Sequence, residues 1–485
     1  MESGNEVEEL RAALAARDAD LAARDADLAA REAEVAELRE LVAQLTEVVR
    51  RLEEQLGRNS NNSNKPPSSD PPGSKRPKRK KGKRRRGGQK GHRGSHRVLL
   101  PPEQVDDVID LYPAECESCW KPLPETPDAL AKRYQLTELK PLAAHTTEWR
   151  RHAVVCPCCG FKTRAKYDPG VLPRFSFGPR LMAVVSLLTG VYHLSRRQTV
   201  RLLRELLGVR MSLGSVSAIE KRVGDAVEPA VDEALEAALA AAVKHADGTT
   251  WLRAGVTLSL WVLATTAVTV FKVLANGQKD TLRAELFGRV RGILVSDRAT
   301  ALKFWAMKRR QVCWAHLARK FISFSERDGP AGELGEELLE YTGLLFEYWS
   351  RLRDGRLSRA TFVERMAPVR RQLEAVLEKA VAAKLRGVSG SCADILEHRD
   401  ALWTFVERAG VEPTNNHAER ELRGIVLWRR RSFGSQSERG DAFAAHMMTI
   451  AHTARKQGRE VLDFLEACCA PRPEGSPAPS LLVPG

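Results

Sequence analysis

Apolar residues recur every seven positions through the first part of the chain. Leu14, Leu21, Leu28, Val35, Val42, Val49 and Leu56 form one line, and Leu10, Arg17, Arg24, Arg31, Leu38, Leu45 and Leu52 form its companion. Two lines at alternating four- and three-residue steps predict a helix over 6–57 whose seam is buried against a partner helix in a left-handed supercoil. The three arginines weaken the middle and leave 38–56 as the strongest stretch. A long solvated helix is the alternative, but it lacks burial energy. The pattern does not choose between a dimer and higher orders.

Further along, the period changes. Residues 178–235 read as helices: an apolar one over GPRLMAVVSLLTGVYH, then one from a Ser195 cap to Gly208, then a restart after Leu213-Gly214. Two short helices about a glycine-bearing turn predict a helix-turn-helix, although such pairs also serve as plain packing units. At 256–275 the period drops to two. The 18 uncharged residues at 254–271 reach the length of a membrane helix. Their Thr and Val content, with Val256, Leu258, Leu260 and Val262 alternating, predicts instead a hairpin turning near Thr265-Thr266. A helical stretch around KDTLRAELFG follows, then an apolar strand, GILVSD, ending on Asp297. That order places Asp247 on the first strand and Asp297 at the tip of the fourth. Residues 331–408 are largely charged, amphipathic helix.

Charge sharpens the domain picture. The chain has 485 residues and a formal net charge of +15. Residues 1–57 hold 15 acids against 7 arginines, whereas 75–97 carry 13 lysines and arginines, among them Lys80, Lys81, Arg84, Arg85 and Arg86, and no acid. With its Pro, Gly, Ser and Asn content, 58–97 reads as a disordered basic linker that adds salt-sensitive affinity for a polyanion, nucleic acid before membrane. At 43% hydrophobic residues, the rest has ample material for buried cores. Nine cysteines behind a start, MESGNEVEEL, with no apolar signal segment point to reduced thiols and a cytoplasmic protein. Cys116-x-x-Cys119 and Cys156-x-x-Cys159 can surround one structural zinc; unmetallated thiols are the alternative. Cys468 and Cys469 read as core.

Candidate chemistry rests on acids. If their strands are neighbours in a mixed sheet, Asp247 and Asp297 emerge side by side, and two hard carboxylates suit magnesium or manganese. Glu419 is ambiguous. Asn416-x-x-Glu419 forms a capping box, yet Arg423 and Arg430 share the glutamate's helical face and suit a site that binds metal and phosphodiester together. His316, Arg319 and Lys320 share one face in CWAHLARKF, packed or touching DNA. Cys313 and His316 have half-site metal spacing without an evident partner pair.

Four strings, HADGTTW at 245–251, SDRATALKF at 296–304, CWAHLARKF at 313–321 and PTNNHAERELRGIVLWRRRSFGSQS at 413–437, resemble the DDE-type transposases of the insertion-sequence-66 group. The cysteine knuckles and the LGRNSNNSNKPPSSD and GGQKGHRG strings resemble that family's N-terminal region, so the likeness spans nearly the whole chain. The resemblance implies an α/β, RNase H-like catalytic core, with Asp247, Asp297 and Glu419 as metal ligands and a helical insertion between the last two. It implies strand cleavage and transfer on double-stranded DNA, at element ends and target, with accessory proteins of the same element as candidate partners. One departure stands out. Family members usually carry an acid and a threonine after the first aspartate, where this chain has Gly248 and Thr249. A catalytically inactive DNA-binding or assembly protein and an RNase H-like nuclease are the competing readings. The expected organisation is a coiled coil at 1–57 joining copies of the chain, a linker at 58–97, a zinc-ribbon-like segment at 98–175, a helix-turn-helix-like DNA-binding region at 176–238, a catalytic domain at 239–470 with its insertion at about 331–408, and a disordered tail at 471–485.

Overall fold

The computed structural model describes residues 2–63, 98–140, 142–167, 176–288, 291–472 and 475–482; the basic run, with Lys80, Lys81, Arg84, Arg85 and Arg86, lies outside them. Helix α1 (Glu2–Leu56) is followed by the short pair β1 (Ala153–Val155) and β2 (Lys162–Arg164). Helices α2 (Pro179–Ser186), α3 (Arg196–Leu207) and α4 (Leu213–Ala240) lead into β3 (Val243–Arg253), β4 (Val256–Ala264) and β5 (Thr269–Leu274). Next come α5 (Lys279–Leu282), β6 (Ile293–Ser296) and β7 (Arg310–Val312), then α6 (Trp314–Ser325), α7 (Pro330–Arg353), α8 (Arg359–Ala382) and α9 (Ser389–Glu397). The chain continues through α10 (Arg399–Leu402), α11 (Thr404–Glu407), α12 (Asn416–Ser432), α13 (Glu438–Lys456) and α14 (Val461–Cys469). It divides into two units, Met1–Pro77 with Trp314–Glu397, and Lys78–Cys313 with His398–Gly485.

The first unit is helical. α1 presents its heptad residues to solvent: Leu14, Leu21, Leu28, Val35, Val42 and Val49 are each 45% or more exposed. Glu47 near its C-terminal end pairs with Arg386 between α8 and α9, and Asn62, beyond the helix, donates from Nδ2 to Glu326 Oε2, just after α6, at 2.7 Å. The helices of 331–408 follow the expected charged, amphipathic pattern, with Leu338, Leu345, Phe362, Leu373 and Leu377 buried.

The second unit is built on a five-stranded mixed sheet, ordered β5-β4-β3-β6-β7. β3, β4 and β5 are antiparallel neighbours, and β6 runs parallel to β3 and β7. The alternation at 256–264 sorts β4 between two faces. Trp261 and Leu263 join the core built with α2, α3, α4, α13 and α14. Leu260, Val262 and Ala264 join a second core with Trp251, Phe271 and the α12 residues Ala418, Leu422 and Ile425. Burying each large apolar side chain contributes about 1.5–3 kcal/mol, so α12 is held to the sheet mainly by this stripe.

One expectation changes. α3 has its Ser195–Gln198 capping box and ends at Gly208 with φ +68°, but the helix after the turn is 28 residues long rather than short. Small and branched residues, Val216, Val223, Val227, Ala230 and Ala234, give α4 a continuous buried stripe through Gly224 and Pro229. That stripe shares one core with Ala246, Trp261 and Val270. The apolar run at 254–271 is the predicted hairpin, and no described helix is long and apolar enough to cross a membrane.

A buried carboxylate ties the far end of β3 to the loop after α12. Asp441, 3% exposed, accepts hydrogen bonds from Trp251 Nε1 (2.7 Å), Arg253 Nε and the Ser435 hydroxyl. Asp441→Ala should therefore destabilise the protein by about 3–5 kcal/mol, because Arg253 loses its counter-charge. Urea unfolding should also show part of that loss recovered in Asp441→Ala/Arg253→Leu.

Candidate metal and nucleic-acid site

Parallel register brings the first two acids together. His245 of β3 pairs with Val295 of β6, so Asp247 and Asp297 both lie two residues beyond the same paired position. Both are half-buried and line one open pocket of about 270 Å³ with Gly248, Thr249, Thr250, Ser259, Trp261 and Ala299. Asp247 Oδ1 accepts the Gly248 N–H at 2.9 Å, and Asp297 Oδ1 accepts the Ala299 N–H at 2.9 Å. Behind Asp297, buried Arg310 donates from Nη2 to its backbone carbonyl at 2.9 Å and to the Ser296 hydroxyl at 3.2 Å. Burial lowers the Arg310 pKa, which the nearby Asp297 charge opposes. Arg310 positions the acid from its backbone side; at the start of β7, in the run Lys308-Arg309-Arg310-Gln311, it reads as one more surface cation.

Gly248 is explained by its neighbour. It pairs with Trp261 across the β3–β4 ladder, and a Cβ at this position would sit 2.7 Å from the Trp261 indole. The indole fills the space that a side chain at 248 would need, while Trp261 Nε1 donates to Ser259 Oγ at 2.8 Å.

Glu419 arrives on the first turn of α12, and here the expected capping box is corrected. The N-cap is Asn415 rather than Asn416, and it makes no side-chain cap bond. Asn415 is fully buried and points elsewhere: its Nδ2 donates to the carbonyl of Ala246, next to Asp247, at 2.8 Å. Its own N–H donates to Cys313 Sγ at 3.1 Å. The first turn of α12 is thus fastened to β3 one residue from Asp247, with Glu419 half-buried on it. Arg423 and Arg430 are exposed further along the helix. The arginine that reaches the strand is Arg429: its Nη1 donates to Thr249 Oγ1 at 3.0 Å, to Thr250 Oγ1 at 2.7 Å and to the Thr250 carbonyl. The Arg429–Arg430–Arg431 run advertised a cation here without saying which one turned inward.

The opposite side of α12 is fixed by charge. Glu421 pairs with His452, with His417 at 3.5 Å and with Lys456 at 3.1 Å. Burial alone would raise its pKa, but the bonds from His417 and His452 and the Lys456 charge hold it well below the usual carboxylate range. His245 stacks near His417 with ring centroids 5.1 Å apart, and burial with the His417 charge pushes its pKa down to about 4. His193 stacks on Trp428 at 4.5 Å; burial first, then Arg431 and His452, lowers its pKa to about 4.

His316 and Arg319 are half-buried on α6, in the other unit. Cys116, Cys119, Cys156 and Cys159 form two turns of matching geometry. In each, the first cysteine N–H donates to the carbonyl five residues on at 2.9 Å (Lys121, Phe161), and its own carbonyl accepts the N–H four residues on (Trp120 at 2.8 Å, Gly160 at 2.9 Å). That fourth residue has positive φ in both, +59° at Trp120 and +74° at Gly160. Backbone N–H groups of Cys119 and Ser118 aim at Cys116, and those of Cys159 and Cys158 at Cys156, lowering both thiol pKa values. Amides aimed at a thiolate are what a metal-holding knuckle needs. Among the described residues, no three of these four sulfurs lie within 4.8 Å of one another. Burial pushes Cys468 up to about 12 and Cys469 to about 11, as expected of inert core thiols.

His193 gives a test of how α12 is seated. Its folded pKa lies below the unfolded value, so between pH 6.5 and about 4 the unfolded chain binds the extra proton. Its contribution should be fully present above pH 6.5 and fall by about 1–2 kcal/mol toward pH 4, after allowing for solvent screening. Denaturation midpoints across that range should show a shallower slope in His193→Phe, which keeps the stack on Trp428.

Comparison of the sequence with known proteins gives three matches. The profile of a family of unknown function matches residues 18–98. An uncharacterized protein, y4qI, of Sinorhizobium fredii (strain NBRC 101917 / NGR234) is 29% identical over 175 residues, which is 34% of this chain and 31% of that protein. The chain thus spans about a third of that relative's length. The profile described as Transposase IS66 family matches residues 174–442, more than half of the chain, including Asp247, Asp297 and Glu419. The chain belongs to the IS66 family of transposases, whose members work on DNA in transposition.

Proposed function

We propose that the protein cuts and joins DNA strands of an insertion element by divalent-metal chemistry at Asp247, Asp297 and Glu419. The observation that carries this reading is the register pairing that puts Asp247 and Asp297 in one pocket, with the first turn of α12 fastened at Ala246. The pocket fits a hard cation: both aspartates line it, with threonine and serine residues and no basic side chain. The sheet order, three antiparallel strands then two parallel ones, is compatible with an RNase H-like core.

In this reading Asp247 would bind both ions, and Asp297 and Glu419 would each hold one. Magnesium or manganese held there would activate water or a DNA 3′-hydroxyl and stabilise the leaving oxygen of an in-line displacement. Arg310 keeps Asp297 in place from behind. Arg423 and Arg430 on α12, with His316 and Arg319 on α6, are the proposed phosphate contacts, and Lys80, Lys81, Arg84, Arg85 and Arg86 add non-specific affinity. The helices at 176–238 would read the element ends. The exposed seam of α1 would pair copies of the chain as a coiled coil, because its apolar residues find no burial in one chain. Cys116, Cys119, Cys156 and Cys159 would hold structural zinc, their amides already aimed at the sulfurs. A cytoplasmic location would supply the reduced thiols and the DNA.

A second reading, a DNA-binding protein without catalysis, is favoured by one observation. Trp261 occupies the space beside Gly248 where other family members carry an acid.

One assay separates the two. On supercoiled plasmid bearing the DNA that flanks the gene, the protein should nick or join strands only with magnesium or manganese. Asp247→Asn, Asp297→Asn and Glu419→Gln should each reduce this by more than about a hundredfold, since a lost metal ligand forfeits several kcal/mol. Binding in calcium should persist in all three. Unchanged cleavage in the variants would refute the metal site, and absence of cleavage in the wild type would support the silent protein. Separately, a thiol-reactive mercurial should release about one zinc per chain into a colorimetric chelator. Cys116→Ser and Cys156→Ser should each purify with that zinc lost.

A further inference from the structure

The turn after α12 displays an aromatic ring that folding does not use. Phe433 is 74% exposed and sits in the left-handed region at φ 55°, ψ 32°, which a bulky residue rarely adopts. The backbone around it is pinned. Gly434 passes so close to β3 that a Cβ would lie 2.0 Å from the Leu252 carbonyl oxygen. The Ser435 N–H donates to that carbonyl at 2.9 Å, and the Ser435 carbonyl accepts the Ala254 N–H at 2.8 Å. The Ser432 hydroxyl bonds the Trp428 carbonyl at 3.1 Å and the Gly434 carbonyl at 3.2 Å. A strained, exposed ring on so constrained a backbone is a feature that function, rather than stability, explains.

Beside the ring lies an open cleft of about 390 Å³, lined by Thr250, Leu252, Thr257, Arg429, Arg430 and Phe433. That is the size of a small-ligand site, about 300–1,000 Å³. Thr250 also lines the aspartate pocket, so the two cavities share a wall. From 424 to 437 the chain carries Arg429, Arg430 and Arg431 and no acid. Arg429 and Arg430 line the cleft and select an anion, and the exposed ring of Phe433 selects a partner with a π face. A paired duplex hides those faces in its own stack, so the occupant that satisfies both is an unstacked nucleotide.

We infer that this cleft holds an unpaired base of the DNA strand that enters the aspartate pocket, stacked on Phe433 with its flanking phosphates at the α12 arginines. This rests on the proposed DNA chemistry of the neighbouring pocket but concerns binding alone. Phe433 is then a strand-separating contact that favours DNA ends, nicks or extended ends over continuous duplex.

The test uses the full chain with calcium in place of magnesium, so that no strand is cut. Affinity is measured for a blunt duplex and for the same duplex with a short single-stranded extension. The wild type should prefer the extended DNA. Phe433→Ala should lose that preference, by roughly tenfold in affinity, with blunt-duplex binding unchanged. Phe433→Trp should keep it, and Phe433→Leu, apolar but without a π face, should not. An intact preference in Phe433→Ala or Phe433→Leu would overturn the inference, as would an equal loss for both DNAs. Should Phe433→Ala fail to fold, the Trp and Leu variants decide. Asp247→Asn should retain the preference, so failure of the metal chemistry leaves this result readable, and the reverse also holds.

Discussion

One buried amide governs the geometry. Asn415, enclosed at the start of α12, spends its side chain on the carbonyl of Ala246 rather than on its own helix, and its N–H on the sulfur of Cys313. A buried amide left without these partners costs about 1–3 kcal/mol, so the start of α12 stays where the bonds are made. Ala246 is the residue before Asp247, and Cys313 follows β7, whose neighbour β6 leads to Asp297. A single residue thus ties the start of α12, which carries Glu419, to β3 beside Asp247 and to the end of β7.

The rest of α12 is arranged to keep that start in place. Its apolar stripe, Ala418, Leu422 and Ile425, packs on the sheet, while Glu421 is held by His417, His452 and Lys456. Arg429 clasps Thr249 and Thr250 two turns or more along, and the Gly434–Ser435 crossing closes the far end against Leu252 and Ala254. The helix is therefore fixed at its start, its middle and its end. Arg423 and Arg430 are exposed.

Local pattern made part of this legible. The Ser195 cap, the Gly208 stop, the 254–271 hairpin and the helical course of α1 depend on neighbours a few residues apart, and the structure contains each as a local feature. The side-by-side aspartates followed from strand order together with the assumption of neighbouring strands, which the parallel β3–β6 register supplies. Long-range commitments were invisible. Asn416 and Glu419 matched a capping box because that motif looks only three residues ahead, whereas Asn415 is bound to a carbonyl 169 residues away. Glycine and proline disfavour a helix interior, yet α4 runs through Gly224 and Pro229 because its buried stripe outweighs them. Arg310 and Arg429 look like surface cations in sequence, and only the folded chain turns them inward. Phe433 was one apolar residue among arginines until its backbone was seen to be pinned.

The central claim is that Asp247, Asp297 and Glu419 grip the same cations. Ferrous iron in place of magnesium, with ascorbate and peroxide, cuts a polypeptide beside the bound metal, independently of any action on DNA. In the full-length protein the cuts should cluster near 247, 297 and 419, fade as magnesium is added, and vanish together in Asp247→Asn. Cuts near 247 and 297 with none near 419, or a pattern that survives Asp247→Asn, would contradict the account.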